Sequence, residues 1–186
     1  EGRYINDTVF THFAEHFYEL KGKTWGIIGL GAIGRRVAEI ARAFGAKVIY
    51  YSASGAPAQE GYEQVDFETL LTQSDIISVH APLNEHTEGL INSKAFEKMK
   101  SSCIFLNLGR GPIVDEQALY NALVRNQIAA AGLDVLCKEP MSADNPLLKI
   151  KDSKRLLITP HIAWASVEAR THLMEIIHGQ VKDFFA

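Results

Sequence analysis

From residue 24 onward, short apolar runs alternate with amphipathic stretches. The runs "TWGIIGL" (24–30), "KVIYY" (47–51), "DIISVHA" (75–81), "SCIFLNL" (102–108), "IAAAGLDV" (128–135) and "RLLITP" (155–160) read as strands. Between them, residues 32–44 show helical spacing, with Ile33, Val37, Ile40, Ala41 and Phe44 apolar and Gly45 placed to end the helix. Helices are also predicted over 66–74, over 93–100 with Ser93 as cap, and over 115–127. A closing helix spans 166–185, with Leu173, Ile177, Val181 and Phe184 on one face. At the other end, residues 7–19 read as a helix carrying Val9, Phe10, Phe13, Phe17 and Tyr18 as a stripe. Strands separated by helices imply βαβ units and a parallel sheet, so the fold class is α/β, a Rossmann-type doubly wound sheet in a single domain over residues 1–186.

Composition narrows the function classes. The chain has 186 residues, 47% hydrophobic and 22% charged, with a net charge of −3. A slightly acidic domain does not offset phosphate repulsion, so no nucleic-acid partner is expected. No apolar run approaches the roughly 18 residues of a membrane span. The start, "EGRYINDTVF", has no basic segment leading into an apolar one, so no secretory signal is read there. Cys103 and Cys137 lack CxxC spacing and read as reduced thiols of a cytoplasmic protein. His12 and His16 lie four apart without a third ligand, which fits a surface helix; no metal is expected.

The chemistry begins at "GLGAIG", which places Gly29, Gly31 and Gly34 in G-x-G-x-x-G spacing between a predicted strand and a predicted helix. Gly29 serves the tight turn, Gly31 lets backbone approach a pyrophosphate, and Gly34 allows close helix packing. The free N–H groups of the helix start would face the anion, with Ala32 and Ile33 in the same loop. The acid that would bond the adenine ribose is missing after "KVIYY", where Ser52 stands, and Glu60 is the first acid beyond it. Residues 52–61 contain no Arg or Lys for the extra phosphate of NADP, so the coenzyme expected is NAD, with NADP as the open alternative.

Three further segments leave strands on the side of the glycine loop, where ligands of parallel sheets bind. "LNLGRGPIVDE" brings Arg110 with Leu108 and Gly109, "AAGLDVLCKEP" brings Asp134 and Glu139, and "TPHIAWAS" brings His161 and Ala163. Arginine offers a planar fork for a carboxylate. Histidine exchanges a proton with a hydroxyl or carbonyl near neutrality, and a neighbouring carboxylate orients it. That set suits hydride transfer between nicotinamide and a 2-hydroxy acid. Taken singly, an Arg in a Gly-rich loop is usually solvated and a His before an apolar run is usually a packed core residue.

These segments, with "LKGKTWGIIGLGAIG", "VHAPLNEHTEGLIN" and "NPLL", resemble the D-isomer-specific 2-hydroxyacid dehydrogenase family over nearly the whole chain. The resemblance implies Arg110, Glu139 and His161 as the catalytic set and Asp134 as holder of the nicotinamide carboxamide. It implies that His80, Ala81 and Pro82 line the coenzyme cleft, with Thr87 near the pyrophosphate. "DVLCKEPMSADNPLL" and "TPHIAWASVEAR" look most like the family's glycerate dehydrogenase (hydroxypyruvate reductase) branch, which implies a small 2-keto or 2-hydroxy acid as substrate. Trp164 shapes the pocket there or packs in the core, and Cys137 is a bystander. Family members have a second, substrate-binding lobe, so this chain is expected to be a coenzyme domain with little turnover alone. They pair through that domain, so a homodimer through the 7–19 helix is expected. Competing readings are an NAD(H)-sensing regulator of corepressor type, and a phosphoglycerate or formate dehydrogenase on the same scaffold.

Overall fold

The computed structural model describes residues 4–6, 8–11 and 17–185. Seven parallel strands form one sheet: β1 (Thr24–Ile28), β2 (Lys47–Tyr51), β3 (Glu63–Gln64), β4 (Ile76–Val79), β5 (Ile104–Asn107), β6 (Ala130–Leu133) and β7 (Leu156–Ile158). Their order is β3-β2-β1-β4-β5-β6-β7, so the chain reverses its direction of travel across the sheet between β1 and β4. Among the described residues, five α-helices accompany them: α1 (Ala32–Ala43), α2 (Phe67–Gln73), α3 (Ser93–Lys98), α4 (Glu116–Val124) and α5 (Val167–Phe184). The doubly wound Rossmann-type sheet read from the alternation is the observed fold.

Side-chain alternation divides the core between the two faces of the sheet. Ile28, Ile77, Val79, Phe105, Ala131 and Leu133 pack with Leu70 and Leu71 of α2, Phe96 of α3, and Leu119 and Leu123 of α4. Phe96 meets Phe105 edge-on at 5.6 Å between ring centroids. On the opposite face, Ile27, Val48 and Tyr50 pack with Ala38 and Ala41 of α1. The inward face of α1 is Gly34, Ala38 and Ala41, while Ile33, Ile40 and Phe44 are exposed. Of the expected stripe, Ala41 is buried and Val37 packs half-buried against this core, while Ile33, Ile40 and Phe44 turn outward. A Cβ on Gly34 would collide with the Gly29 carbonyl, so the helix lies too close to the glycine loop for large side chains on that face.

Other local expectations change as well. Asn92, not Ser93, caps α3, because its Oδ1 accepts from the amides of Lys94 and Ala95 at 3.0 and 3.3 Å. The two-residue polar edge strand β3 carried no hydrophobic signal and was not predicted. Of the helix expected over 7–19, Asp7 and residues 12–16, with Phe13, His12 and His16, lie outside the described residues. Thr8–Phe10 and Phe17–Glu19 are not helical. Helix α5 forms as expected but buries none of its residues. No described helix is long and apolar enough to cross a membrane.

Candidate functional site

Because all strands run the same way, their C-terminal ends share one edge, and backbone hydrogen bonds join the loops leaving it. Gly29 N–H donates to Tyr51 O at 3.0 Å, and His80 N–H to Ile28 O at 2.8 Å. Leu108 N–H donates to Val79 O, Asp134 N–H to Asn107 O, and Thr159 N–H to Leu133 O. Ser52, the glycine loop, His80, Arg110, Asp134 and His161 therefore follow one another along a single edge. From β1 to β7 this edge covers four strand spacings, roughly 19 Å.

The glycine loop leads into the start of α1 without a side-chain cap. Gly29 has φ +92°, and a Cβ there would lie 2.7 Å from the backbone of Ala81. Helices α2, α3, α4 and α5 are capped by the side chains of Asp66, Asn92, Asp115 and Ser166. Helix α1 has Gly31 at its cap, no side-chain cap bond and no acid in its first turn. The space where a Gly31 Cβ would stand is open. Its first amides, at Ala32 and Ile33, thus retain donors for a ligand. These donors fit the pyrophosphate of a dinucleotide.

The loops after β4 and β5 form the middle of the edge. Ala81 is buried, and the Thr87 hydroxyl, also buried, donates to Pro82 O at 2.7 Å and accepts from Asn84 N–H at 2.9 Å. Thr87 therefore shapes the 82–87 turn. The His80 ring bonds Ser78 Oγ at 3.0 Å, and Ser78 Oγ also accepts from Trp25 Nε1. Its Nδ1 is buried without a partner, and burial lowers the His80 pKa to about 4. In the next loop, buried Asn107 accepts from Gly109 N–H at 3.1 Å and donates to Arg110 O at 3.0 Å, which fixes the turn that presents Arg110. The Arg110 guanidinium is exposed and donates to Gly109 O at 2.8 Å.

Glu139 and His161 meet. His161 Nδ1 lies 2.8 Å from Glu139 Oε2, and Glu139 Oε1 accepts from Leu136 N–H at 2.8 Å. The His161 bond, then the Leu136 amide, hold the Glu139 carboxyl below its ordinary range. Both side chains border a cleft of about 480 Å³ with Asp134, Leu136, Met141 and Thr159. His161 has φ +54°, a left-handed backbone that a side-chain-bearing residue adopts at a cost. Asp134 stabilises it from below. Its Oδ1 accepts from Thr159 Oγ1 at 2.6 Å and Ile162 N–H at 2.9 Å, and its Oδ2 from Ala163 N–H at 2.9 Å. Burial pushes the Asp134 carboxyl up, but those three donors outweigh it and hold the group below its ordinary value. Trp164 caps the turn by donating from Nε1 to His161 O at 3.0 Å; it is 54% exposed and so not a core residue.

Two positioning residues were not singled out in the sequence. A Cβ on Gly111 would collide with the Leu136 carbonyl group and Cys137 N, so this glycine lets the Arg110 loop cross directly under the Glu139 loop. Glu116, in the first turn of α4, accepts from Cys137 N–H and Asn145 Nδ2, both at 2.8 Å, and fixes the far side of that loop. Both lie within "LNLGRGPIVDE", where Arg110 drew the attention and the two flanking positions carried no chemistry of their own to single them out.

Comparison with known proteins decides the family. The pattern of the D-isomer specific 2-hydroxyacid dehydrogenases, NAD binding domain, matches residues 3–163. The chain belongs to this family. A hydroxypyruvate reductase of Blautia hydrogenotrophica is 43% identical over 99% of the chain and 57% of its own length. Among solved structures, an acyclic imino acid reductase (Bsp5) in complex with NADPH and D-Arg is 40% identical, with a TM-score of 0.80 over 90% of this chain and 52% of its own. A D-lactate dehydrogenase of Aquifex aeolicus complexed with NAD and lactic acid is 31% identical, with a TM-score of 0.84 over 93% of this chain and 57% of its own. The chain thus spans a little over half the length of these family members and carries the family's NAD-binding domain.

Proposed function

We propose that this chain is the coenzyme domain of an oxidoreductase that interconverts a small D-2-hydroxy acid and its 2-keto acid, with glycerate and hydroxypyruvate as the pair. The observation that carries the reading is the His161–Glu139 bond of 2.8 Å on the strand edge shared with an uncapped glycine loop. The hydroxypyruvate reductase relative supports the substrate class. The family's substrate lobe is the other half of the working enzyme, a reading supported by relatives nearly twice as long.

In this reading Gly29, Gly31, Ala32, Ile33 and Gly34 hold the pyrophosphate. Ser52 meets the ribose, and His80, Ala81, Pro82, Leu108 and Gly109 line the cleft, with Thr87 shaping its turn. Bound nicotinamide supplies the hydride acceptor or donor. Arg110, freed from the Gly109 carbonyl, pairs its fork with the substrate carboxylate. In oxidation, the substrate hydroxyl proton passes to His161 Nε2. Glu139 accepts a hydrogen bond from Nδ1–H, which leaves Nε2 as the basic atom and stabilises the imidazolium that forms. In reduction the same proton returns to the carbonyl oxygen. Asp134 keeps His161 in register, and the acceptor capacity left on Oδ2, together with Ala163, serves the nicotinamide amide. We also propose a cytoplasmic homodimer, supported by the exposure of Phe10, Phe17 and Tyr18 near the N-terminus.

The test is NADH-dependent hydroxypyruvate reduction by the longer polypeptide carrying both lobes. His161→Gln is expected to lower kcat about 100- to 10,000-fold with NADH affinity little changed. A rate near wild type would overturn the assignment, and comparable turnover by the 186-residue chain alone would overturn the two-lobe reading. A monomer at high concentration in sedimentation would overturn the dimer.

A further inference from the structure

Arg110 and His161 stand on loops that leave different strands, β5 and β7. A reaction that needs both depends on their spacing. One buried side chain is bonded toward each of them. Asn107 holds the last register position of β5, opposite Val79 of β4 on one side and Leu133 of β6 on the other, and is 1% exposed. Its main chain leads to His161. Asn107 O accepts from Asp134 N–H at 3.0 Å, and the Asp134 carboxylate holds Thr159, Ile162 and Ala163 around His161. Its side chain leads to Arg110. Oδ1 accepts from Gly109 N–H at 3.1 Å, and Nδ2 donates to Arg110 O at 3.0 Å. Arg110 O also accepts from Ile113 N–H at 3.2 Å, so the Asn107 donor is not needed to satisfy that carbonyl. Its effect is to fix where the carbonyl stands. The Arg110 side chain is exposed and bonds Gly109 O within the same turn, so the backbone beneath it sets the aim of its fork.

We propose that Asn107 is a positioning residue for the reaction, whose amide keeps the Arg110 turn in register with the Asp134–His161 loop and so sets the distance between carboxylate recognition and proton transfer. The inference rests on the proposed roles of Arg110 and His161. An amide suits the task because it offers an acceptor and a donor on one planar group. A carboxylate of the same shape keeps the bond from Gly109 N–H but turns an acceptor toward the Arg110 carbonyl. A serine hydroxyl is too short to span both partners. Freed from Asn107, the turn shifts, and a displacement of about 1 Å in a substrate-positioning group can cost on the order of 100-fold in rate.

The experiment is a double-mutant cycle in the longer polypeptide carrying both lobes. Asn107→Ser is made in wild type and in Arg110→Gln, with Asn107→Asp as a second variant in both backgrounds. The readouts are KM and kcat for hydroxypyruvate and the dissociation constant of NADH by fluorescence. In wild type, either Asn107 variant is expected to raise KM roughly tenfold or more and to change NADH affinity by less than about threefold. In Arg110→Gln, the same changes are expected to move KM by less than about twofold, because the group they displace is already gone. A residue that only stabilises the fold would not show this dependence on Arg110. Equal increases of KM in the two backgrounds, or an unchanged KM in a variant that binds NADH normally, would overturn the proposal. Loss of NADH binding in both Asn107 variants would overturn it too, making Asn107 a residue of the fold. An Arg110→Gln single variant with wild-type KM would overturn the carboxylate role of Arg110 itself, and the proposal with it.

Discussion

Replacing Asp134 by Asn keeps the shape of the side chain and turns one carboxylate oxygen into an amide nitrogen. In the native site the carboxylate is 7% exposed and receives three donors: the Thr159 hydroxyl, Ile162 N–H and Ala163 N–H. The amide oxygen of Asn can still serve the first two. Its NH2 group then faces Ala163 N–H, donor against donor. The variant loses one charge-assisted bond and buries an unpaired donor, a cost of about 2–3 kcal/mol. The left-handed turn at His161 loses part of its support at the same time. With a urea m-value of about 1–3 kcal/mol/M, the unfolding midpoint falls by roughly 1 M. Asp144→Asn is the control, because that exposed carboxylate serves the Ser142 hydroxyl and its replacement is expected to leave the midpoint essentially unchanged. The pH dependence has a definite sign. The folded Asp134 carboxyl lies below its ordinary value of 3.8, so its bonds stabilise the fold above that value and are lost as pH falls through the lower folded one. Wild type and variant converge there. A midpoint change at pH 7 no larger than the control's would refute the clamp.

Gly111→Ala places a methyl group against the backbone of Leu136 and Cys137, and is expected to cost about 1–3 kcal/mol in thermal or urea unfolding; an unchanged midpoint would show that the crossing of the two loops relaxes freely. Burial lowers the His80 pKa from 6.5 to about 4, so the unfolded chain takes up a proton before the folded one does as pH falls, and stability drops across that window. At 1.36 kcal/mol per pH unit the upper bound is about 3 kcal/mol, and His80→Gln is expected to flatten the slope between those pH values; an identical slope would refute it. Burial, with Glu116 beside it, raises the Cys137 thiol to about 11, and burial raises Cys103 to about 12. Buried Cys103 is expected to react with a thiol reagent at pH 8 only after unfolding, whereas exposed Cys137 is expected to react in the native chain but more slowly than an ordinary thiol; rapid reaction of both thiols in the native chain would contradict this.

Much of the architecture was legible because its signals are local. Each predicted strand appears as a parallel strand, since a strand buried between helices must be apolar along its length. Gly29 and Gly34 are required by a positive φ and by a backbone contact within the loop, features that a six-residue motif records directly. The large apolar residues of α1 misled, because their spacing shows a helix without showing which flank meets the sheet. Gly34, Ala38 and Ala41 are the inward residues, and small side chains give a weak periodic signal. Asn92 displaced Ser93 as cap because a one-position shift of the helix start depends on backbone geometry.

The sequence by itself determined the fold class, the glycine loop and the residue types available at each strand end, because secondary structure and turn chemistry follow from neighbours along the chain. Tertiary structure decided what those residues touch. It joined Glu139 to His161 across 22 positions, committed Asp134 to the loop that carries His161, and set Gly111 beneath Leu136. Each of these contacts links segments distant in sequence, and only the parallel sheet, by bringing every strand end to one edge, makes them neighbours.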